Sequence, residues 1–124
     1  MEKEFVPYEL AVKLKALGFD EPCFGCYDNG ELVFSSHINN VMQRFRYAAA
    51  TFSQAFRWFR EKQAIEGFIH KAIEGTYYFV IKRLGNNENN MYEFITNAPK
   101  NVDTYEEAEL ECLKKLIEIV EQKK

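Results

Sequence analysis

The segment TFSQAFRWFREK, residues 51–62, is the densest aromatic stretch of the chain and decides the predicted fold. Thr51 followed by Gln54 has the spacing of a capping box, in which a hydroxyl and an amide satisfy the first free backbone N–H groups of a helix. The sequence therefore predicts that a helix begins there. Its apolar residues recur at steps of three and four and share one face: Phe52, Ala55, Phe56 and Phe59, with Trp58 at the edge.

Upstream of this helix, the sequence predicts a short helix followed by a hairpin. Apolar residues at helical spacing lie between Pro7 and Gly18, two residue types common at the start and just past the end of a helix. Asn29 and Gly30 lie between two apolar runs and form the strongest short-range hairpin signal of the chain. Strands are predicted near residues 23–27 and 31–35, and residues 36–50 are treated as a connection.

Downstream, the sequence predicts three strands and a final helix. Two runs rich in β-branched and aromatic residues, GFIHKAI and TYYFVIKR, flank Glu74 and Gly75 and indicate a second hairpin. A third strand is predicted at residues 91–96. The final helix opens with a second capping box, Thr104 and Glu107, and its apolar stripe must pack against another surface.

This element order, α-β-β-α-β-β-β-α, indicates an α+β protein in which a small antiparallel sheet has helices packed on one face. With 124 residues, the chain is predicted to form a single domain, 1–124. Residues 1–50 would be an N-terminal extension of helix plus hairpin, and residues 51–124 an α-β-β-β-α unit. The core is expected to contain four largely buried residues: Phe56, Phe59, Leu113 and Leu116.

Composition indicates a soluble cytoplasmic protein. The chain has 47% hydrophobic and 28% charged residues, as in ordinary globular proteins. The N-terminus lacks the features of a signal peptide, and no run approaches the ~20 apolar residues of a membrane span. Three cysteines form an odd and sparse set, so free thiols are expected. No phosphate-binding or catalytic motif is recognisable, and neither a cofactor nor a catalytic residue is predicted.

A zinc site is one of the alternatives that the sequence leaves open. Cys23 and Cys26 form a C-x-x-C, and His37 and His70 would complete four ligands. A closed set of ligands at the usual spacing is missing, however, and positions three apart in a plain strand face opposite sides. The preferred interpretation is two small strand residues. His70 is expected to have a surface or cross-strand role in the middle of its strand.

The middle of the chain is locally basic, although the formal net charge is -3. This stretch, Arg44 to Lys62, is a candidate contact with an anionic partner through phosphate contacts and stacking. Its candidate binding residues are Arg44, Arg46, Arg57, Trp58 and Arg60. A solvated helix face explains the same pattern and is preferred, because the acidic remainder of the chain weakens long-range attraction.

Two resemblances add expectations. The segments LGFDEPCFG (17–25), TFSQAFRWFREK (51–62) and TYEEAELECLKKLIEIV (104–120) together resemble a family of small uncharacterised proteins of Bacteroides-type gut bacteria and their phages and prophages. The resemblance implies no activity and no catalytic residue. In element order, residues 51–124 are also similar to the double-stranded-RNA-binding domain. That family opens its last helix with lysines that grip phosphates, where this chain has Glu106, Glu107 and Glu109.

The sequence therefore favours a non-catalytic protein-interaction or adaptor module of phage or mobile-element origin, with an unknown protein partner. The first alternative is a nucleic-acid binder that uses the basic stretch Arg44 to Lys62. The second alternative is a small metal-dependent or hydrolytic enzyme. No membrane contact is expected.

Overall fold

The structure, a computed structural model, describes residues 4–21, 23–28, 30–38, 46–83, 93–97 and 101–123. Its elements are, in order, α1 (Tyr8–Ala16), β1 (Cys23–Asp28), β2 (Glu31–Ile38), β3 (Arg46–Ala48), α2 (Phe52–Lys62), β4 (Ile65–Lys71), β5 (Tyr77–Arg83), β6 (Glu93–Asn97) and α3 (Tyr105–Lys123). The protein is α+β, and the predicted order of helices and strands is confirmed. The structure has one further short strand, β3, within residues 36–50, which the sequence analysis treated as a connection.

The chain divides into two compact units, Met1–Ala55 and Phe56–Lys124. Each contains a three-stranded antiparallel sheet, with strand order β2-β1-β3 in the first unit and β4-β5-β6 in the second. The sequence predicts one sheet, whereas the strands before and after α2 pair within their own unit. The reason is local: each hairpin pairs with the strand that follows it along the chain, so each sheet is completed separately.

The first unit is built around β1, its central strand. The Tyr27 hydroxyl donates a 2.7 Å hydrogen bond to the Val6 carbonyl, and the Tyr8 ring meets the Tyr27 ring edge-on at 5.5 Å. These contacts hold the N-terminal segment and α1 against one face of the sheet. The core cluster on this face consists of Phe5, Ala11, Tyr27 and Ala49, with Leu32 and Tyr47 packed against it.

The predicted capping box starts α2. The Thr51 N–H donates to Gln54 Oε1 at 3.0 Å, and the Gln54 N–H donates to Thr51 Oγ1 at 3.1 Å. This reciprocal pair satisfies two donors near the start of the helix that lack a partner within it. At the other end, Ala64 takes a positive φ of 56° and turns the chain into β4.

The buried side of α2 is rotated from the predicted one. It consists of Phe52, Ala55, Trp58 and Phe59. Phe56 is intermediate in burial, so it is less covered than these four residues, although its ring lies near Gly67 of β4. Trp58 and Phe56 lie on opposite flanks of the apolar stripe, which is wide because it contains five side chains. Burial of the Trp58 flank leaves the Phe56 flank partly exposed.

In the second unit, α3 packs on β4 and β5. A Cβ at Gly67 would meet Cys112 and Leu116 of α3 and Phe56 of α2. The predicted packing of both helices on one face of this sheet is therefore confirmed at β4. The predicted burial of Phe59, Leu113 and Leu116 is also confirmed, since each is 0% exposed.

The start of α3 also follows the sequence signal. The Glu107 N–H donates a 3.1 Å hydrogen bond to Thr104 Oγ1, as a capping box requires. Acidic residues occupy the first turn, where they interact favourably with the positive end of the helix dipole. Across the described ranges, no helix combines the length and the apolar character needed to cross a membrane.

Candidate functional site

The second sheet has a face directed away from the helices. Ile65 and Gly67 face α3, and alternation along β4 directs Glu66, Phe68 and His70 to the opposite side. The antiparallel register pairs these three residues with side chains of β5. We call the six residues the outer face: Glu66 beside Lys82, Phe68 beside Val80 and His70 beside Tyr78.

Aromatic rings are in contact on the outer face. The His70 and Tyr78 rings are stacked, with centroids 5.3 Å apart and planes inclined by 22°. The Phe68 ring lies 6.3 Å from the His70 ring, measured between centroids. Three rings therefore form one continuous row along β4 and across to β5. Cross-strand pairs of this kind contribute about 0.2–1 kcal/mol each to the stability of a sheet.

Charged groups border these rings. Lys82 Nζ lies 4.5 Å from the centroid of the Phe68 ring, a cation–π distance. Glu66 is the cross-strand neighbour of Lys82, and its carboxylate lies 3.9 Å from the Arg60 guanidinium of α2. The Arg60 and Glu66 side chains are 44% and 23% exposed, so water screens this pair and it adds little stability. Its effect is to set the charge at the rim of the rings.

The outer face is partly open to solvent. His70 is exposed, and the other five residues are half-buried. Tyrosine, histidine and lysine each present an apolar body and a polar tip, which suits contact with a partner surface. The chemistry that this arrangement supports is therefore binding through rings, with polar and charged contacts at the edge.

Two of the predicted binding residues belong to the first unit. Arg44 lies outside the described residues. Arg46 is on β3, where its backbone pairs with Asp28 of β1. Arg46 is therefore a basic residue on β3, the three-residue edge strand of the first sheet.

The other predicted binding residues lie on α2 in the second unit. Arg57 and Arg60 are exposed, which agrees with the preferred interpretation of a solvated helix face. Trp58 is 3% exposed, so its ring is closed to stacking on a ligand. Arg60 connects the predicted set to the outer face through its contact with Glu66.

The candidate metal ligands are distributed over both units. Cys23 and Cys26 are buried on β1, while His70 is exposed on β4 and stacked on Tyr78. The backbone of His37 lies on β2, and its side chain is outside the described residues. Among the side chains that are described, no group of three or more histidine, cysteine or acidic residues could hold a metal ion.

Buried thiols are expected to resist both reaction and ionisation. Burial raises the pKa of Cys23 from 9.0 to about 12, with a smaller contribution from Glu21. Burial, with a smaller contribution from Glu109, raises the pKa of Cys112 likewise to about 12. Metal binding and thiol exchange require a thiolate. We therefore expect slow reaction of the native protein with a thiol reagent at neutral pH, and well under one zinc per chain by elemental analysis.

The raised pKa values also predict loss of stability in alkali. Between the unfolded pKa near 9 and the folded value near 12, the unfolded chain releases protons that the folded chain retains. The contribution of the protonated thiols to the free energy of unfolding is therefore fully present below pH ~9 and is lost as pH rises toward ~12. Denaturant midpoints measured across this range should fall less steeply for Cys112→Ala than for the wild type. Equal slopes of midpoint against pH for the two proteins, or rapid thiol labelling of the native protein, would contradict the raised pKa of the buried thiols.

Comparisons with known proteins found no match: no protein-family model, no curated protein and no solved structure matches the chain. The two resemblances described above therefore stay expectations.

The sequence predicts the hairpin that carries the outer face but did not single out the face itself. The available signal is the alternation in each strand, with Phe68 and His70 two residues apart and Tyr78 and Val80 two residues apart. The expected cross-strand role of His70 is confirmed by its stacking on Tyr78.

Proposed function

We propose that this chain is a non-catalytic protein-interaction module, an adaptor, and that the outer face contacts its protein partner. The observation that carries the proposal is the row of Phe68, His70 and Tyr78 rings, partly exposed on a hairpin that is backed by helices. Aromatic residues are enriched at protein interfaces and dominate their binding energy. A hairpin backed by packed helices presents them at a low cost in conformational entropy.

The charges at the rim favour a protein over a polyanion. Lys82 lies over the Phe68 ring, and Arg60 lies beside Glu66, so both cations already have a partner. Binding to a phosphate backbone depends on cations that neutralise phosphates, and the chain as a whole carries a net charge of -3. We infer a partner that covers the rings with apolar or aromatic side chains and meets the rim with polar ones.

The proposed setting is the bacterial cytoplasm, with an origin in a phage or mobile element. The resemblance of residues 17–25, 51–62 and 104–120 to small proteins of Bacteroides-type gut bacteria and their phages supports this origin. Cys23, Cys26 and Cys112 are free and buried, a state that the reducing cytoplasm maintains.

Nucleic-acid binding is a second candidate function, and the stack of His70 and Tyr78 favours the single-stranded form. Bases stack on aromatic side chains beside cations in proteins that bind single strands. Duplex RNA is less favoured, since Glu106 and Glu107 are exposed at the start of α3, where carboxylates repel phosphates. This candidate ranks second because Lys82 is directed over Phe68.

A capture experiment tests the proposal. The tagged protein is used as bait in a lysate of the source cells, with and without nuclease, and a captured protein is then purified and titrated. The variant carrying both His70→Ala and Tyr78→Ala is expected to bind that protein at least about 30-fold more weakly, because a hot-spot residue contributes about 2 kcal/mol or more.

The matched control is Ile73→Ala, in the turn of the same hairpin. Ile73 is fully exposed, so this variant should bind like the wild type, and thermal unfolding checks that all variants are folded. Partner affinity unchanged in the double variant would reject the outer face as the contact surface. Loss of all captured material after nuclease treatment would show that the partner is a nucleic acid and not a protein.

A further inference from the structure

The first sheet ends in a strand whose outer edge is open among the described residues. The strand order β2-β1-β3 makes β2 an edge strand, and the pairing described for β2 is with β1. At eight residues, β2 is much longer than β3, the three-residue strand at the other edge. Long edge strands are templates for pairing with another chain unless charges, prolines or bulges protect them.

Hairpin geometry determines which backbone groups lie along this edge. Asp28 and Glu31 pair across a two-residue turn in which Gly30 has a φ of 83°. In such a hairpin the pair that closes the turn is hydrogen-bonded, and hydrogen-bonded pairs alternate along the strands. Glu31 and Val33 therefore direct their backbone groups to β1. Leu32 and Phe34 direct their N–H and C=O groups to the open edge.

The side chains at this edge are apolar and exposed. Val33 is 44% exposed and Phe34 is 54% exposed, and as consecutive residues they lie on opposite faces of the sheet. The Phe34 ring is held by an edge-on contact with Phe5 at 5.5 Å. Residues 32–38, LVFSSHI, contain no lysine, arginine, acid or proline. Apart from Glu31 at its start, β2 therefore lacks the charged residues and prolines that usually protect an edge strand.

The regular part of the edge is its first half. The register between β1 and β2 shifts between Cys23 and Gly25, which lies opposite the part of β2 beyond Phe34. Such irregularities twist an edge away from further pairing. A partner strand is therefore expected to pair along the start of β2, residues 31–35, rather than along the whole strand.

We propose that β2 pairs with β2 of a second copy of this chain in an antiparallel, two-fold symmetric dimer. Pairing centred on Val33 places Val33 opposite its own copy, and Leu32 and Phe34 then exchange hydrogen bonds across the edge. Antiparallel pairing of a strand with itself is isologous, so apolar residues meet apolar residues by symmetry. Each Glu31 lies opposite Ser35 of the other copy, which keeps the two carboxylates at opposite ends. The result is one continuous six-stranded sheet.

Oligomeric state in solution is the first test. Sedimentation equilibrium over a wide concentration range is expected to show a mass that rises from 14.6 kDa to twice that value. Val33→Lys is expected to remain a folded monomer, because a lysine on an edge strand opposes pairing. A wild type that stays monomeric, or a dimer that persists in Val33→Lys, would overturn the proposal.

Disulfide trapping tests the register. Cα atoms of a non-hydrogen-bonded antiparallel pair are about 4.5 Å apart, within the range that a disulfide spans. Val33→Cys is therefore expected to cross-link two chains under mild oxidation, faster than the control Ile73→Cys, an exposed cysteine in the turn of the second unit. Cross-linking no faster than in the control would reject the pairing centred on Val33.

Discussion

Replacing Phe59 with alanine is expected to lower the free energy of unfolding by about 3–5 kcal/mol, the usual cost of removing a buried phenylalanine ring. Phe59 is 0% exposed, and its ring meets the Trp58 ring edge-on at 5.0 Å. The loss combines the transfer free energy of the ring with the cavity that remains. Because small domains are stable by only about 5–15 kcal/mol, this is a large fraction of the total.

The matched control for this prediction is Phe56→Ala. This substitution is on the same helix and removes the same atoms. Phe56 is only half-buried, so Phe56→Ala should lower the free energy of unfolding by a clearly smaller amount than Phe59→Ala. Denaturant unfolding followed by circular dichroism measures both. Equal shifts in the two midpoints would show that the buried side of α2 is assigned wrongly.

The capping boxes and hairpins were predictable because their signals are local. Thr51 and Gln54 are three residues apart, and their hydrogen bonds form within one turn of helix. Gly30 and Gly75 lie in the two hairpin turns with positive φ values of 83° and 89°, which glycine adopts without strain. These elements depend on a few neighbouring residues, and the sequence specifies them directly.

The features that sequence reasoning missed depend on distant pairing. The strand β3 consists of three residues, too short for a periodic pattern, and it forms by pairing with β1 about twenty residues earlier. Periodicity placed Phe56 and Trp58 on the two flanks of one helical stripe but did not show which flank is covered. Only the packing of the folded chain decides that.

The candidate site was missed for the same reason. Sequence reasoning weighed Arg57, Trp58 and Arg60 because they are close together along the chain. The outer face instead joins residues of two strands, such as His70 and Tyr78, and their contact depends on the register of the hairpin. Alternation along one strand shows which residues share a face, whereas the register shows which of them touch across strands.

Gly67→Ala is expected to destabilise the second unit by about 1–3 kcal/mol, the typical cost of inserting a methyl group into a packed interior. A Cβ at this position would lie 2.5 Å from Cys112 Sγ and 3.5 Å from Leu116 Cδ1. The first distance is too short for any real contact, so the Cys112 side chain or α3 itself would have to shift. The gain of about 0.4–1 kcal/mol from restricting the unfolded chain offsets part of this cost.

Combining Gly67→Ala with Cys112→Ala should recover much of the lost stability, because removing the sulfur opens the space that the new methyl group needs. The measured quantity is the coupling free energy of the double-mutant cycle, expected to differ clearly from zero for residues in contact. Gly75→Ala is the matched control: Gly75 has a φ of 89° with open space around it, so that substitution costs backbone strain. Cys112→Ala should leave that cost unchanged. Simple additivity of Gly67→Ala and Cys112→Ala would mean that the close approach of α3 to β4 does not require a glycine.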